Sequence, residues 1–191
     1  MRRLLLVAGV LGVPVLLQGC VAAVGAGAAG AAAIAYDRRT AGTFIDDTLI
    51  ELKVYEALRS DPEMQDQTHI NVTSYNNVVL LTGEAPNEAL RSRAGERARE
   101  VPKVRLVHNE LAIAAPSSLL ARSSDSVITG KVKSQLLNLD VNLAARTKVV
   151  TESGVVFLMG ISTREESDAA TNVARQVGGV QRVVKVFEYL D

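Results

Sequence analysis

Apolar residues recur with helical spacing early in the second half of the chain. Ile128, Val132, Leu136 and Leu139 follow one another at i, i+4, i+8 and i+11, which places them on one face of an α-helix. Asp125 precedes these residues and is expected to cap the helix. The pattern therefore predicts an amphipathic helix over residues 125–139.

The hydrophobic pattern changes after this helix. The segment "TKVVTESGVVFLMG" (147–160) has two runs of β-branched residues around Glu-Ser-Gly, which is typical of a β-hairpin. A second helix follows, with Ala170, Val173, Ala174 and Val177 on one face, and Gly178-Gly179 is expected to end it. The segment "VQRVVKVFEYL" (180–190) predicts a final strand.

The same order of patterns occurs once before. The segment "INVTSYNNVVLLTGEAPNEA" (70–89) aligns with "TKVVTESGVVFLMGISTREE" (147–166), and Asp47, Ile50, Val54 and Leu58 align with Asp125, Ile128, Val132 and Leu136. The chain thus contains two tandem αββαβ units. Because a β-α-β crossover is right-handed, we predict an α+β fold in which each unit is a three-stranded mixed sheet with two helices packed on one face.

These patterns divide the chain into five segments. The two units cover residues 45–113 and 124–191, and "APSSLLARSS" (114–123) has the Pro and Ser content of a linker. Residues 20–44 are expected to be a tether rich in Ala and Gly. Close helix packing through its small residues is the alternative.

The first 19 residues have the pattern of an export signal. Met1-Arg2-Arg3 is cationic, and the run that follows (4–17) is almost wholly apolar but too short to be a spanning helix. The only cysteine, Cys20, comes directly after it. The alternative is a membrane-anchoring helix with an incidental cysteine.

Composition argues against several functional classes. The net charge is zero, and removal of residues 1–19, which hold two arginines and no acidic residue, leaves −2, so no basic field favours nucleic acid. His69 and His108 are isolated, and neither an HExxH nor a GxSxG motif occurs. We therefore expect no enzyme, no metal, no cofactor, no nucleic-acid partner and no small-molecule substrate.

Two sets of residues resemble known families. The stretch "LLQGC" (16–20) resembles the lipobox of bacterial lipoproteins, which implies lipid attachment at Cys20, and Val21 after it implies sorting to the outer membrane. The αββαβ order, the glycines Gly83 and Gly160, and the strand entry at Gly179, Val180 and Val183 resemble a BON domain. Nearly the whole chain is similar to dual-BON-domain outer-membrane lipoproteins of Gram-negative bacteria.

That resemblance implies a location and a partner. The location is a lipid-anchored position on the periplasmic face of the outer membrane. The partner is an anionic phospholipid membrane, bound through the second BON domain. The implied role is to support outer-membrane integrity, with enrichment at the division site.

The residues themselves favour one helix for membrane contact. The first helix of unit one is rich in acidic residues, whereas its counterpart in unit two carries two lysines beside apolar residues that lie off the core face. We assign phospholipid contact to Val127, Ile128, Gly130, Lys131, Lys133, Ser134 and Leu137.

Other interpretations stay open. The lysines could form an ordinary solvated face, with Val127 packed on the other repeat. The protein could instead be an adaptor for envelope machinery, such as outer-membrane protein assembly or cell-wall remodelling, that offers a sheet edge or a helix to its partner. The arginines of the second helix in unit one (Arg91, Arg93, Arg97 and Arg99) alternate with Glu96 and Glu100 and predict a salt-bridged solvent face.

Overall fold

The computed structural model describes residues 37–190, which form two αββαβ units in succession. In domain 1 the elements are α1 (Ala41–Arg59), α2 (Pro62–Gln67), β1 (His69–Tyr75), β2 (Val78–Ala85), α3 (Glu88–Arg99), β3 (Leu106–Asn109) and β4 (Ala112–Ile113). In domain 2 they are α4 (Leu119–Leu139), α5 (Val141–Arg146), β5 (Lys148–Glu152), β6 (Val155–Ser162), α6 (Arg164–Arg175) and β7 (Arg182–Tyr189).

Each domain contains one small mixed sheet. β1 pairs antiparallel with β2, and β3 and β4 both pair parallel with β2, so the third strand of domain 1 is interrupted. In domain 2, β5 pairs antiparallel with β6, and β6 pairs parallel with β7 along its full length. The predicted α+β fold with a hairpin and a parallel crossover is confirmed.

Both hairpins turn over two residues in the left-handed region. Asn76 and Asn77 have φ of 52° and 63°, and Ser153 and Gly154 have φ of 50° and 74°. Two successive positive φ angles are typical of a type I′ turn, whose twist matches that of the flanking strands. The Asn-Asn and Ser-Gly pairs therefore determine the hairpin register from local chemistry.

Asp125 does not cap the helix as predicted, because α4 begins six residues earlier. Its buried carboxylate accepts hydrogen bonds from Ser153 N at 2.8 Å and Gly154 N at 2.9 Å. Asp47 has the same role in domain 1, where it accepts from Asn76 N and Asn77 N. In each domain, one aspartate in the first helix therefore accepts hydrogen bonds from the backbone N–H groups of the hairpin turn.

The helices are longer than expected at their starts. α1 begins at Ala41, inside the predicted tether, because the Thr40 side chain caps it by accepting from Thr43 N. α4 begins at Leu119, inside the predicted linker, where Leu and Ala have high helix propensity. The short helices α2 and α5, capped by Asp61 and Asp140, were not predicted. Leu139, expected on the core face, is exposed at the end of α4.

Three apolar clusters hold the structure together. One lies between the sheet and helices of domain 1, and a second lies in the same place in domain 2. The third joins the two domains through Tyr75 and Leu80 on one side and Phe157, Met159 and Val186 on the other. β2 and β6 are apolar on both faces because one face covers helices and the other covers the partner sheet.

Candidate functional site

The exposed face of α4 carries most of the residues assigned to phospholipid contact. A helix turns by about 100° per residue, which places Val127, Gly130, Ser134 and Leu137 opposite the core face. Val127 is 56 % exposed and Leu137 is 55 % exposed. Val127 therefore does not pack on the other repeat, and the two apolar side chains lie about 15 Å apart along one exposed strip.

Two lysines border this strip. Lys131 and Lys133 are exposed on opposite edges of it, and within residues 37–190 neither forms an ion pair. Lys131 also lines an open groove of about 290 Å³ between α4 and α6, together with Gln135, Val173, Gln176, Val177 and Gly178. The side chains of Lys131, Gln135 and Gln176 offer ammonium and amide donors in this groove, and donors of these kinds bind phosphate oxygens.

One assigned residue lies elsewhere. Ile128 is only 6 % exposed, belongs to the core of domain 2 and packs close to Gly179. Its helical position, 100° from Val127, turns it inward. We therefore remove Ile128 from the proposed lipid contact and keep it as a core residue.

Sequence reasoning missed a second exposed apolar face, on α1. Five of its apolar side chains are exposed and lie on one side of the helix: Phe44, Ile45, Leu49, Leu52 and Tyr55. The signal was present in the sequence, since these residues are apolar and lie off the core positions Ile50, Val54 and Leu58. The acidic residues of this helix argued against contact with an anionic membrane, so its apolar side was not assigned a function.

Ion pairs connect the two domains around their shared apolar cluster. Lys148 Nζ contacts Glu51 Oε1 at 2.9 Å, and Arg105 Nη2 contacts Glu188 Oε2 at 2.6 Å. Asn76 Nδ2 also donates to Glu188 Oε1 at 2.8 Å. These contacts fix the rotation of one sheet against the other.

The segment before α1 binds both domains. Arg38 donates to both carboxylate oxygens of Glu166 and to Ile161 O in domain 2. Arg39 contacts Asp47 in domain 1 at 2.8 Å and stacks over the Tyr75 ring. Residues 38 and 39 are therefore part of the folded body, although they were predicted to be tether.

Asp37 completes this arrangement. Its carboxylate accepts from Arg39 and from the Tyr75 hydroxyl. Burial alone would raise the pKa of Asp37, but the hydrogen bonds and charge of Arg39 outweigh it and hold that pKa below its ordinary value.

His69, isolated in the sequence, has close neighbours in the structure. Its Nδ1 lies 3.1 Å from Glu84 Oε2, and Glu152 of domain 2 approaches both side chains. Burial raises the pKa of Glu152, the hydrogen bond from Asn71 lowers it, and the charge of Glu84 raises it again, with a net rise. The structure thus gathers two carboxylates and an imidazole at the domain interface.

The predicted solvent face of α3 is salt-bridged, but with other partners than expected. Arg93 contacts Asp61 and Glu63 around α2, and Arg91 contacts Glu88. The glutamates expected to pair, Glu96 and Glu100, form no ion pair among residues 37–190. Two of the four arginines are therefore engaged in structural contacts.

Some predictions fall on other parts of the chain. The signal peptide, Cys20 and the tether up to residue 36 lie outside the described residues. Within residues 37–190, no helix combines the length and hydropathy needed to cross a bilayer.

Comparison with known proteins gives a consistent family. The family model described as "BON domain" matches residues 46–115 and again residues 124–191. The chain is 42 % identical over 181 residues to the outer membrane lipoprotein DolP of Haemophilus influenzae, covering 95 % of this chain and 94 % of that one.

Two further relatives are more distant. The chain is 38 % identical to a 21 kDa hemolysin of Actinobacillus pleuropneumoniae, over 81 % of this chain and 79 % of that one. It is 33 % identical to the osmotically-inducible protein Y of Escherichia coli, over 74 % and 72 %.

Proposed function

The chain belongs to the BON-domain family as an outer-membrane lipoprotein with two BON domains, and from that premise we propose that it binds anionic phospholipid through α4. One observation carries this proposal: the exposed apolar side chains of Val127 and Leu137 form a strip along one face of α4, and Lys131 and Lys133 border that strip on its two edges. Apolar groups between cationic edges suit the boundary between headgroups and acyl chains.

The contact is weak by itself. Transfer of the exposed halves of Val127 and Leu137 into an apolar layer contributes about 1 kcal/mol each. Each lysine near an anionic surface adds about 1 kcal/mol. The total of about 4 kcal/mol corresponds to a dissociation constant near 1 mM.

The lipid anchor makes such a weak contact effective. Acylation of Cys20 places the chain on the membrane, and the sixteen residues 21–36 can extend at most about 55 Å to the folded body at Asp37. A short tether gives an effective concentration in the millimolar range. We therefore propose a reversible contact in which α4 alternates between the periplasmic face of the outer membrane and solvent.

A micelle titration tests the proposal. The chain with residues 1–20 removed is titrated with phosphatidylglycerol micelles while backbone amides are followed by NMR. We expect chemical shift changes over α4, and we expect the double variant K131E/L137E to lose them. The matched control is K53E/R59E, which changes the equivalent positions of α1 and should leave the shifts of α4 intact.

The opposite pattern would refute lipid contact at α4. Shifts that spread over the whole surface, or that survive in K131E/L137E, mean that this helix is not the binding face. We also propose that the contact supports outer-membrane integrity at the division site. A fluorescent fusion should concentrate at septa, and K131E/L137E should distribute evenly around the cell.

A second candidate function rests on α1. Its exposed apolar face (Phe44, Ile45, Leu49, Leu52 and Tyr55) contains two aromatic residues, which are enriched in protein interfaces. Acidic residues around it, such as Asp46 and Glu56, disfavour an anionic membrane. We propose that this face is the docking surface if the protein acts as an adaptor for envelope machinery.

Site-specific photocrosslinking separates the two functions. A photoreactive residue at position 52 should give adducts with an envelope protein if α1 is a docking face, whereas one at position 130 should give adducts with lipid. Protein adducts only from position 130 would contradict both assignments.

A further inference from the structure

The His69 cluster spans the interface between the two domains. His69 begins β1, and Glu84 lies opposite it in the register of β2. Glu152 ends β5 in the other domain. One ligand-type atom from each of the three side chains lies within 4.8 Å of the other two.

This cluster differs from the other polar contacts between the domains. At three other places a carboxylate of one segment meets a cation of the other: Glu51 meets Lys148, Glu188 meets Arg105, and Glu166 meets Arg38. Within residues 37–190, no lysine or arginine forms an ion pair with Glu84 or Glu152. Two carboxylates and an imidazole therefore meet with no lysine or arginine from this part of the chain between them.

Burial makes this arrangement costly. Glu84 is 3 % exposed and Glu152 is 8 % exposed, so water screens their repulsion poorly. A buried carboxylate needs a cation or a set of donors to remain charged. We propose that a divalent metal ion such as Zn²⁺ binds between His69, Glu84 and Glu152 and joins the two domains.

Neighbouring groups hold the side chains in place. Asn71 Nδ2 donates to Glu152 Oε2 at 2.7 Å, and Ser117 N donates to Glu84 Oε2 at 3.1 Å. The Ser153 hydroxyl lies 3.5 Å from Glu84 Oε1, and Ser153 N is held by Asp125. Such outer donors orient ligands before a metal arrives.

The donor set suits a borderline divalent cation. Imidazole nitrogen and carboxylate oxygen both bind Zn²⁺ at about 2.0–2.2 Å. Two ligands of one ion then lie roughly 3–4 Å apart, which is close to the 3.1 Å between His69 Nδ1 and Glu84 Oε2. Glu152 needs only a small side-chain adjustment to complete the set, and water can fill the remaining positions.

Calorimetry and thermal unfolding test this site on the full chain. The protein is purified in a non-ionic detergent, stripped of metal on a chelating resin and titrated with ZnCl₂. We expect one equivalent to bind, and we expect E152Q to weaken binding at least about tenfold. Gln at position 152 still accepts from Asn71, so the variant should fold, and H69Q provides a second variant that removes another ligand.

The difference in melting temperature between E152Q and the unmodified chain should depend on whether Zn²⁺ is present. Without metal, E152Q should unfold at the same or a higher temperature than the unmodified chain, because the repulsion is gone. With Zn²⁺, the melting temperature of the unmodified chain should rise and that of E152Q should not. A merely structural role for Glu152 would lower the melting temperature under both conditions.

His108 provides the matched control, since it is the only other histidine in the chain. H108A should bind Zn²⁺ as the unmodified chain does. The proposal is overturned if the unmodified chain binds no Zn²⁺ or if E152Q and H69Q bind it as tightly as the unmodified chain. It is also overturned if H108A weakens binding as much as E152Q does.

Discussion

Replacement of Asp47 by alanine tests whether one buried carboxylate holds the first helix against the hairpin. Asp47 accepts from Ser74 Oγ at 2.7 Å, Asn76 N at 2.8 Å, Asn77 N at 2.7 Å and Arg39 Nη1 at 2.8 Å. It is 3 % exposed, so water does not replace the lost acceptor. D47A therefore removes the acceptor of four donors, of which the Ser74 hydroxyl is buried and the other three are part-buried, while Arg39 keeps its ion pair with Asp37.

The magnitude follows from these contacts. A buried donor without a partner costs about 1–3 kcal/mol. Removal of one partner from a buried ion pair costs about 3–5 kcal/mol. Because the contributions overlap in one network, we expect D47A to lower the free energy of unfolding by about 3–5 kcal/mol in total.

Urea unfolding, followed by circular dichroism, measures this loss. D46A is the matched control, because Asp46 is the neighbouring residue and its only ion pair within residues 37–190 is the exposed one with Lys103. We expect D46A to cost less than about 1 kcal/mol. D47N, which keeps one acceptor oxygen, should fall between the two. If D47A and D46A have the same midpoint, the turn does not depend on this carboxylate.

Three other predictions concern acid stability, a strained turn and the domain interface. Burial raises the pKa of Glu166, but the hydrogen bonds from Arg38 and Thr163 N outweigh it and hold the pKa below its ordinary value of 4.5. The ionised Glu166 therefore stabilises the folded state above pH 4.5, and this stabilisation is lost as the pH falls through the lowered pKa. As the pH is lowered from 6 to 2, the urea midpoint of E166Q should therefore fall less steeply than that of the unmodified chain, and Gln at this position can keep the capping box. The same fall in both proteins would contradict this. Lys103 has φ of 73°, and the equivalent position of domain 2 is Gly179. K103G should therefore raise the free energy of unfolding by about 0.5–1 kcal/mol in the same assay. A lower free energy of unfolding would show that the ion pair of Lys103 with Asp46 matters more than the backbone strain. Phe157 is 3 % exposed in the cluster between the domains, so F157A should cost about 3–5 kcal/mol by urea unfolding, and a loss below about 1 kcal/mol would mean that this cluster contributes little to stability.

Much of the fold follows from local patterns. The helical spacing of Ile128, Val132 and Leu136 and the Ser-Gly turn act over a few residues, so they predict helix and hairpin without knowledge of the rest of the chain. The repeat strengthens each element, because the same order occurs twice. Helix starts were less predictable: Thr40 begins a helix that the Ala and Gly content around it disguised.

The exposure of the residues assigned to lipid contact was predicted in part, and the contact itself stays a prediction. Val127, Lys131, Lys133 and Leu137 are exposed, as an interfacial strip requires. Ile128 was assigned to the same face because it is adjacent to Val127 in the sequence, although its helical angle turns it toward the core. The apolar face of α1 was not predicted because charged residues such as Glu56 and Arg59 share that side of the helix with its apolar side chains.

The sequence by itself determined the order of elements, the duplication and the single cysteine available for acylation, since each depends on neighbouring residues or on identity alone. Only the tertiary structure decided which surfaces remain free and which distant side chains meet. Glu84 and Glu152 lie 15 and 83 positions from His69, and no spacing rule joins groups from two domains. Those three residues converge because two apolar sheet faces pack together, and that packing depends on the whole chain.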